Sequence, residues 1–265
     1  MPWVFRGLRD GVVTTRWPKH ADEYFDQFPA AVRVVGDPGA TVPDEVAQAA
    51  AACPTDAISV QPRPRLDRGR CIVCGRCVNL APTWFAWEKG CATAELARSA
   101  LVVGEVDESD EALDELRASL ARRVRRLRRS VHIRHVDAGS NGSDEWEIQA
   151  LTNPVYDVHR LGIFFTASPR HADILLVTGI GVSGMVEPLR RTLDAMPAPT
   201  VVIAVGTDAI SGGVLGGGYI GGTGVSDLVP VDVWVPGAPA SPFSVLHGIL
   251  LALGRVPLRQ KRSAQ

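Results

Sequence analysis

The spacing of the cysteines constrains this chain more than any other feature of its 265 residues. Cys71, Cys74 and Cys77 form C-x-x-C-x-x-C, and Cys53 is followed directly by Pro54. Three thiolates at two-residue intervals can wrap one face of a cubane iron–sulfur cluster, because the loop brings each sulfur round to a different iron. The fourth iron then needs a remote cysteine. The alternative is a four-cysteine zinc site, but zinc ribbons usually pair two C-x-x-C knuckles, and the third close cysteine and the Cys-Pro favour iron–sulfur. Five cysteines in all are few for a disulfide scaffold and odd in number, which points to metal or free thiol. Cys91 fits neither pattern and reads as a plain, partly buried thiol.

Two-cluster ferredoxins carry C-x-x-C-x-x-C-x-x-x-C-P in each half, and the last Cys of one half ligates the cluster of the other. Counting back from Cys53 in that template puts the remaining ligands of the first half at Pro43, Val46 and Ala49. Counting forward from Cys77 puts the final ligand of the second half at Ala81, just before Pro82. Every ligand of one cluster is gone and every ligand of the other remains. The segments Cys53-Pro54-Thr55-Asp56-Ala57-Ile58 and Cys71-Ile72-Val73-Cys74-Gly75-Arg76-Cys77 thus resemble a two-cluster ferredoxin domain that keeps one site. The resemblance implies an α+β ferredoxin-like domain with one [4Fe–4S] cluster on Cys53, Cys71, Cys74 and Cys77.

Composition sets the outer limits. Lys and Arg total 28 against 29 Asp and Glu, a net charge of −1, which gives no global reason to expect nucleic acid or an anionic membrane as partner. Hydrophobic residues at 46% exclude a disordered chain, and 26 glycines with 19 prolines promise many loops and tight turns. No apolar run is long enough to span a bilayer; the best candidate, residues 246–253, contains His247 and Gly248. The opening Met1-Pro2-Trp3-Val4-Phe5-Arg6 lacks the long apolar stretch of a signal peptide, so a cytoplasmic protein is expected, any membrane association being made through partners.

Residues 1–100 form the first expected domain, with the cysteines in its middle and an extended, turn-rich entry over residues 7–18. Residues 101–130 form a linker. Within it residues 107–130 read as one helix, because Leu113, Leu116, Leu120, Val124 and Leu127 recur at three and four. Asp107, Glu108, Asp110 and Glu111 open it and six arginines between Arg122 and Arg129 close it, an order that suits the helix dipole. The arginine run reads as a solvated helix end or as a docking surface for an acidic partner or lipid headgroups. From residue 131 to 254, short apolar runs at 131–136, 163–166, 174–178, 201–205 and 231–235 alternate with amphipathic stretches such as 185–196 and 243–253. That alternation predicts a flavodoxin-like α/β domain with a parallel sheet covered on both faces and chemistry at the carboxyl ends of its strands. Residues 255–265 form a polar, basic tail.

Two glycine-rich constellations fall in the second domain. Gly179-Ile180-Gly181-Val182-Ser183-Gly184 is a literal G-x-G-x-x-G, but no acidic residue stands at the right distance after it: Asp194 lies in a helical stretch and Asp208 is too far. It reads as a tight strand-to-helix turn, with a nicotinamide-dependent reductase as the alternative. Residues 211–224 surround Val214, Leu215, Tyr219 and Ile220 with glycine and carry no Lys or Walker pattern, so a loop shaped by a partner surface fits better than a phosphate cradle.

Three further segments bear a family resemblance: Ala150-Leu151-Thr152-Asn153-Pro154-Val155-Tyr156-Asp157, residues 167–179, and Val231-Asp232-Val233-Trp234-Val235-Pro236-Gly237. Over residues 131–254 the chain is similar to the small subunit shared by respiratory complex I (its B or 20-kDa subunit) and membrane-bound, energy-converting nickel–iron hydrogenases. The resemblance implies a large-subunit partner, membrane subunits and a peripheral position on the cytoplasmic face of the inner membrane. It also implies a [4Fe–4S] cluster at the strand ends, held by a C-x-x-C pair, a third Cys after a Val-Gly strand end and a Cys in V-P-G-C-P. This chain departs at each position. A gapless count places Asn141 and Asp144 at the pair, and a one-residue slide places Ser140 and Ser143 there. Asp208 stands third and Ala238 fourth. No register supplies a thiolate, so that cluster is expected to be absent; Asp144 and Asp208 leave either a hydrogen-bonded remnant pocket or oxygen ligands for a hard cation. The expected function is an iron–sulfur electron-transfer subunit with a single cluster, the alternative a non-redox scaffold.

Overall fold

The computed structural model describes residues 3–37, 40–104, 110–125 and 130–256. The first half runs α1 (Trp3–Asp10), α2 (Glu23–Gln27), β1 (Ala31–Val34), α3 (Asp44–Ala51), β2 (Ile58–Ser59), β3 (Arg65–Asp67), α4 (Arg76–Leu80), β4 (Phe85–Glu88) and β5 (Val102–Val103). β1 pairs antiparallel with β4, and β2, β3 and β5 form a second small antiparallel sheet. Short strands and five-residue helices cannot stand alone. They are held by a common core of Val46, Ala49, Leu66, Ala81, Trp84 and Phe85. Three of the four template positions that lack a cysteine, Val46, Ala49 and Ala81, are therefore packed core. Apolar contact fills those positions.

The second half continues with α5 (Asp110–Val124), β6 (Val131–Asp137), α6 (Ser143–Ala150), β7 (Ile163–Phe165), β8 (Ile174–Thr178), α7 (Val186–Asp194), β9 (Val201–Val205), α8 (Gly206–Ser211), β10 (Val233–Val235) and α9 (Pro242–Ala252). The five strands form one parallel sheet in the order β10-β9-β8-β6-β7. Numbered from β6, this is the 2-1-3-4-5 order of a flavodoxin-like sheet, whose topological switch point lies between β6 and β8. Every residue of β8 and β9 is buried, as the unbroken β-branched and aliphatic runs require. α9 and the C-terminal half of α5 cover one face. Leu189 of α7 and Ala209 and Ile210 of α8 cover the other.

The predicted strands all form, within two residues of the expected bounds. The long linker helix is seen as α5, with Leu120 and Val124 buried but Leu116 45% exposed, so its apolar stripe covers the sheet only toward its end. Leu127, Arg126, Arg128 and Arg129, and Asp107 and Glu108, lie outside the described residues. Arg122, Arg123 and Arg125 are exposed, as a solvated helix end requires, and Arg123 also grips both carboxylate oxygens of Asp232 and the carbonyl of Thr200. The extended entry expected over residues 7–18 is corrected at its start, because α1 carries a helical period through Asp10 and stops at Gly11, whose φ of 64° ends it. The sheet's core also takes in Trp17, Phe25, Cys91, Ala94 and Leu96, with Trp17 stacked on Phe25 at 4.4 Å and Phe25 set edge-on to Phe243 at 5.6 Å.

Ile203, fully buried at the centre of β9, tests this core. Ile203→Ala should lower unfolding stability by about 2–5 kcal/mol, because the flanking strands cannot close the cavity. Urea denaturation followed by circular dichroism reads the change.

Candidate metal centre

The four predicted cysteines come together from two segments. Cys53 follows the C-terminus of α3, Cys71 and Cys74 lie in the loop before α4, and Cys77 sits in the first turn of α4. Val73 (φ 56°) and Gly75 (φ 73°) are both left-handed and bend the loop sharply back on itself. A side chain at Gly75 would also strike the Trp87 ring. Cys53, Cys74 and Cys77 lie close enough to Cys71 for their ionisation to oppose its own, and Cys53 and Cys74 lie likewise near Cys77, so the four thiols form one group. Among the described residues no three His, Cys, Asp or Glu side chains converge closely enough for a single ion.

The local chemistry fits an iron–sulfur cluster. The backbone N–H of Ala57 donates to Cys53 Sγ at 3.3 Å and that of Val73 to Cys71 Sγ at 3.4 Å. Such donors stabilise electron-rich sulfur. Burial pushes the Cys71 thiol up to about 12, with the neighbouring thiols adding to the rise, and burial raises Cys77 as well. Thiolates disfavoured on their own become favourable when each is bound to a cationic centre. Cys91 stands apart: it is buried, accepts a hydrogen bond from Ser241 at 3.5 Å, and faces Asp22 and Asp26 rather than the other thiols.

The cluster loop abuts the strand ends of the α/β domain. Thr207, fully buried, donates from Oγ1 to the Cys71 carbonyl at 3.1 Å, and its N–H donates to the Gly237 carbonyl at 2.6 Å. Asp208, next in sequence, is hydrogen-bonded by Asn141 at 3.4 Å. Asp144, 3% exposed in the first turn of α6, accepts the Ala240 N–H at 2.9 Å. The four positions thus meet at the carboxyl ends of the strands, as residues 139–144, 206–208 and 237–240 converge. In this convergence Asn141 and Asp144 face inward. Ser143 binds back to Asn141 Oδ1, and Ser140 donates to Glu145.

Glycines shape this pocket, and carboxylates occupy it. A Cβ on Gly206 (φ 87°) would collide with Asp144 Oδ2, and one on Gly213 (φ 56°) with Asp208 Oδ1. Glu145, held by Ser140 and Thr178, adds a third carboxylate, and His135 closes the chain through Thr178 at 3.0 Å. Burial holds the Asp144 carboxyl up at about 7, Glu145 and Asp208 adding to the rise against the Ala240 hydrogen bond. Burial and Glu145 raise Asp208 too. Between the Ile72–Val73 stretch of the cluster loop and residues 236–239 lies a cavity of about 490 Å³, walled by Tyr24, Phe28 and Trp87.

The G-x-G-x-x-G turn is committed to packing. Gly179 and Gly181 are left-handed, and side chains there would strike the backbone of Gly139 and of Gly224. The amides of Ile180, Gly181 and Val182 already donate to residues 138–139 and that of Ser183 to Ile220. None of those four remains for a pyrophosphate, which removes the basis of the nicotinamide alternative. Sequence reasoning missed Thr207. Only its place between the strand-end glycine and Asp208 could have drawn attention to it.

The class that this fold and site define is an α/β small subunit joined to a ferredoxin-like unit. Residues 142–252 match the family model described as NADH ubiquinone oxidoreductase, 20 Kd subunit, and residues 65–116 match a 4Fe-4S single cluster domain. The chain is 39% identical over 145 residues to formate hydrogenlyase subunit 7 of Escherichia coli, covering 55% of this chain and 56% of that one. It is 37% identical over 141 residues to the probable membrane-bound hydrogenase subunit mbhJ of Pyrococcus furiosus, covering 53% of this chain and 84% of that one. A chain of the membrane-bound sulfane sulfur reductase structure, 28% identical, aligns over 49% of this chain and 75% of its own with a TM-score of 0.43. The protein belongs to the NADH ubiquinone oxidoreductase 20 Kd subunit family. The match spans little more than half of the E. coli relative's length.

Asp144 gives this pocket a pH signature. An acid whose pKa is raised on folding keeps its proton in the native state while the unfolded chain loses it. Stability is therefore intact below about pH 4 and falls as pH rises to about 7, by roughly 4 kcal/mol for a shift of this size. Asp144→Asn should remove most of that fall and leave the protein more stable than the parent at neutral pH. Unfolding midpoints measured from pH 4 to pH 8 check it.

Proposed function

We propose that the chain is the iron–sulfur electron-transfer subunit of a complex-I-like or membrane-bound hydrogenase-related oxidoreductase assembly. One [4Fe–4S] cluster is carried on Cys53, Cys71, Cys74 and Cys77, and no cluster is held at the strand ends. The observation that carries this reading is the grouping of four thiols from the end of α3 and the loop into α4, two of them already receiving backbone hydrogen bonds. A 4Fe-4S domain model also matches residues 65–116. That stretch contains Cys71, Cys74, Cys77 and Cys91 but not Cys53. The grouping of Cys53 with the other three, and of Cys91 with Ser241, supports Cys53 as the fourth ligand.

When bound, such a cluster supplies one-electron transfer, with no acid–base apparatus required. The chain's own part is to bury the sulfurs and donate N–H groups to them, both of which set the potential. Residues 1–100 form the cluster domain, residues 101–130 the link and residues 131–254 the α/β domain that docks a large subunit. The relatives' names, hydrogenlyase and membrane-bound hydrogenase subunits, support a place in a membrane-attached assembly. No described helix is long and apolar enough to cross a membrane, in keeping with attachment through membrane partners on the cytoplasmic face. At the strand ends, carboxylates filling the glycine cradles replace soft ligands with hard ones, a poor set for iron–sulfur. The same filled cradles favour a second reading, a scaffold subunit whose redox role has lapsed.

Anaerobically purified protein should contain about four irons and four labile sulfides per chain, with a single reduced-cluster EPR signal. Cys74→Ser and Cys53→Ser should lose it and Cys91→Ser should retain it. About eight irons would place a second cluster at the strand ends, and zinc in place of iron would end the redox reading. A cluster that resists reversible reduction would leave the scaffold.

A further inference from the structure

The helix α1 serves neither the thiol group nor the strand-end pocket. None of its residues is buried: Trp3 is 83% exposed, Phe5 61% and Leu8 76%. On helical spacing Val4, Phe5 and Leu8 share one side while Arg6 and Asp10 lie opposite, with Arg9 on the flank. After the turn at Gly11, Val12 and Val13 extend the apolar surface at 81% and 56% exposure. The chain is then pinned to the α/β domain, Thr14 Oγ1 donating to the Pro154 carbonyl at 2.7 Å and the Thr15 N–H to the Val155 carbonyl at 2.8 Å. α1 is thus tethered at its base, and none of the described residues covers its apolar side.

Charge identifies what covers it. The protein is net −1, yet residues 3–20 hold Arg6, Arg9, Arg16 and Lys19 against the single carboxylate of Asp10. Arg6 and Arg9 make no salt bridge among the described residues. A helix docking into a protein groove reads out anchors over two or more turns, at i, i+3, i+4 and i+7. α1 offers one short apolar cluster of Val4, Phe5 and Leu8 with the Arg9 guanidinium on its flank and Arg6 on the far side beside Trp3, which is the make-up of a short interfacial helix.

We propose that α1 lies on an anionic lipid surface. Val4, Phe5 and Leu8 enter the boundary between headgroups and acyl chains, while Arg6 and Arg9 extend their stems along it and keep their charges among the phosphates. The chain then touches the membrane itself as well as through partner subunits. Net charge gave no sign of this, because the cations are local. The contact is independent of whether the cysteines hold a cluster.

Flotation of the full-length protein with phosphatidylcholine vesicles, with and without phosphatidylglycerol, tests it. The protein should float with the anionic vesicles at low salt and not with phosphatidylcholine alone. The double variant Arg6→Gln, Arg9→Gln should weaken binding about 30-fold, at roughly fivefold for each basic residue near the surface. Phe5→Asp with Leu8→Asp should abolish it. Circular dichroism and iron content, unchanged in both variants, separate this outcome from misfolding and from the cluster reading. Absence of flotation, or flotation indifferent to both double variants, overturns the proposal. So does an α1 whose variants lose a copurifying subunit while the parent ignores vesicles.

Discussion

The contact on which the arrangement depends is the hydrogen bond from a buried threonine at the end of β9 to the carbonyl of a cysteine 136 residues earlier. Thr207 has no solvent to fall back on, so an unmade bond there would leave a buried donor and acceptor unpaired at a cost of about 1–3 kcal/mol. That cost adds direction to the apolar packing that holds the cluster loop against the α/β domain. A second tie, the two-way backbone bridge between Glu95 and Trp234, sets β10 against the segment that follows β4. The two ties hold the first half of the chain at the carboxyl edge of the sheet, the edge at which α/β folds do their chemistry. A chain with the same two modules joined only by α5 would not bring Cys71 to Thr207.

What stands at that edge follows from the glycines. Gly206 and Gly213 leave a hollow that no side chain of their own can fill, and both are left-handed, a conformation that penalises replacement. A hollow of this kind must be occupied or collapse. Here Asp144 and Asp208 reach into it, at the price of burying carboxyl groups close to one another and to Glu145. The raised proton affinities of Asp144 and Asp208 are the physical expression of that crowding and burial. A pocket lined this way offers hard carboxyl oxygens and prefers to hold a proton on Asp144.

The sheet was legible because its strands obey a simple rule. Runs such as Ile174–Thr178 and Val201–Val205 are buried on both faces and so carry no polar alternation to blur them. The cysteine loop was legible because ligand spacing is set by covalent reach and survives whatever surrounds it. α1 was hidden by Gly7 and Gly11, which read as turn residues although only Gly11 takes a left-handed φ. Leu116 was misread because a helix period says which residues share a side but not how far along the helix its neighbour extends. Thr207 was invisible for a different reason: its partner lies in the other half of the chain, and no local pattern encodes a contact across 136 residues.

The position of the thiol group then decides what its neighbour can do. Cys71 is joined to Thr207, the residue beside Asp208, and Ile72 and Val73 wall one side of the cavity whose other side is residues 236–239. The ferredoxin-like unit stands against the pocket where Asn141, Asp144 and Asp208 meet residues 237–240. The fold puts the thiol group and the strand-end carboxylates on the two sides of a single hydrogen-bonded junction, so a change at either is felt by the other.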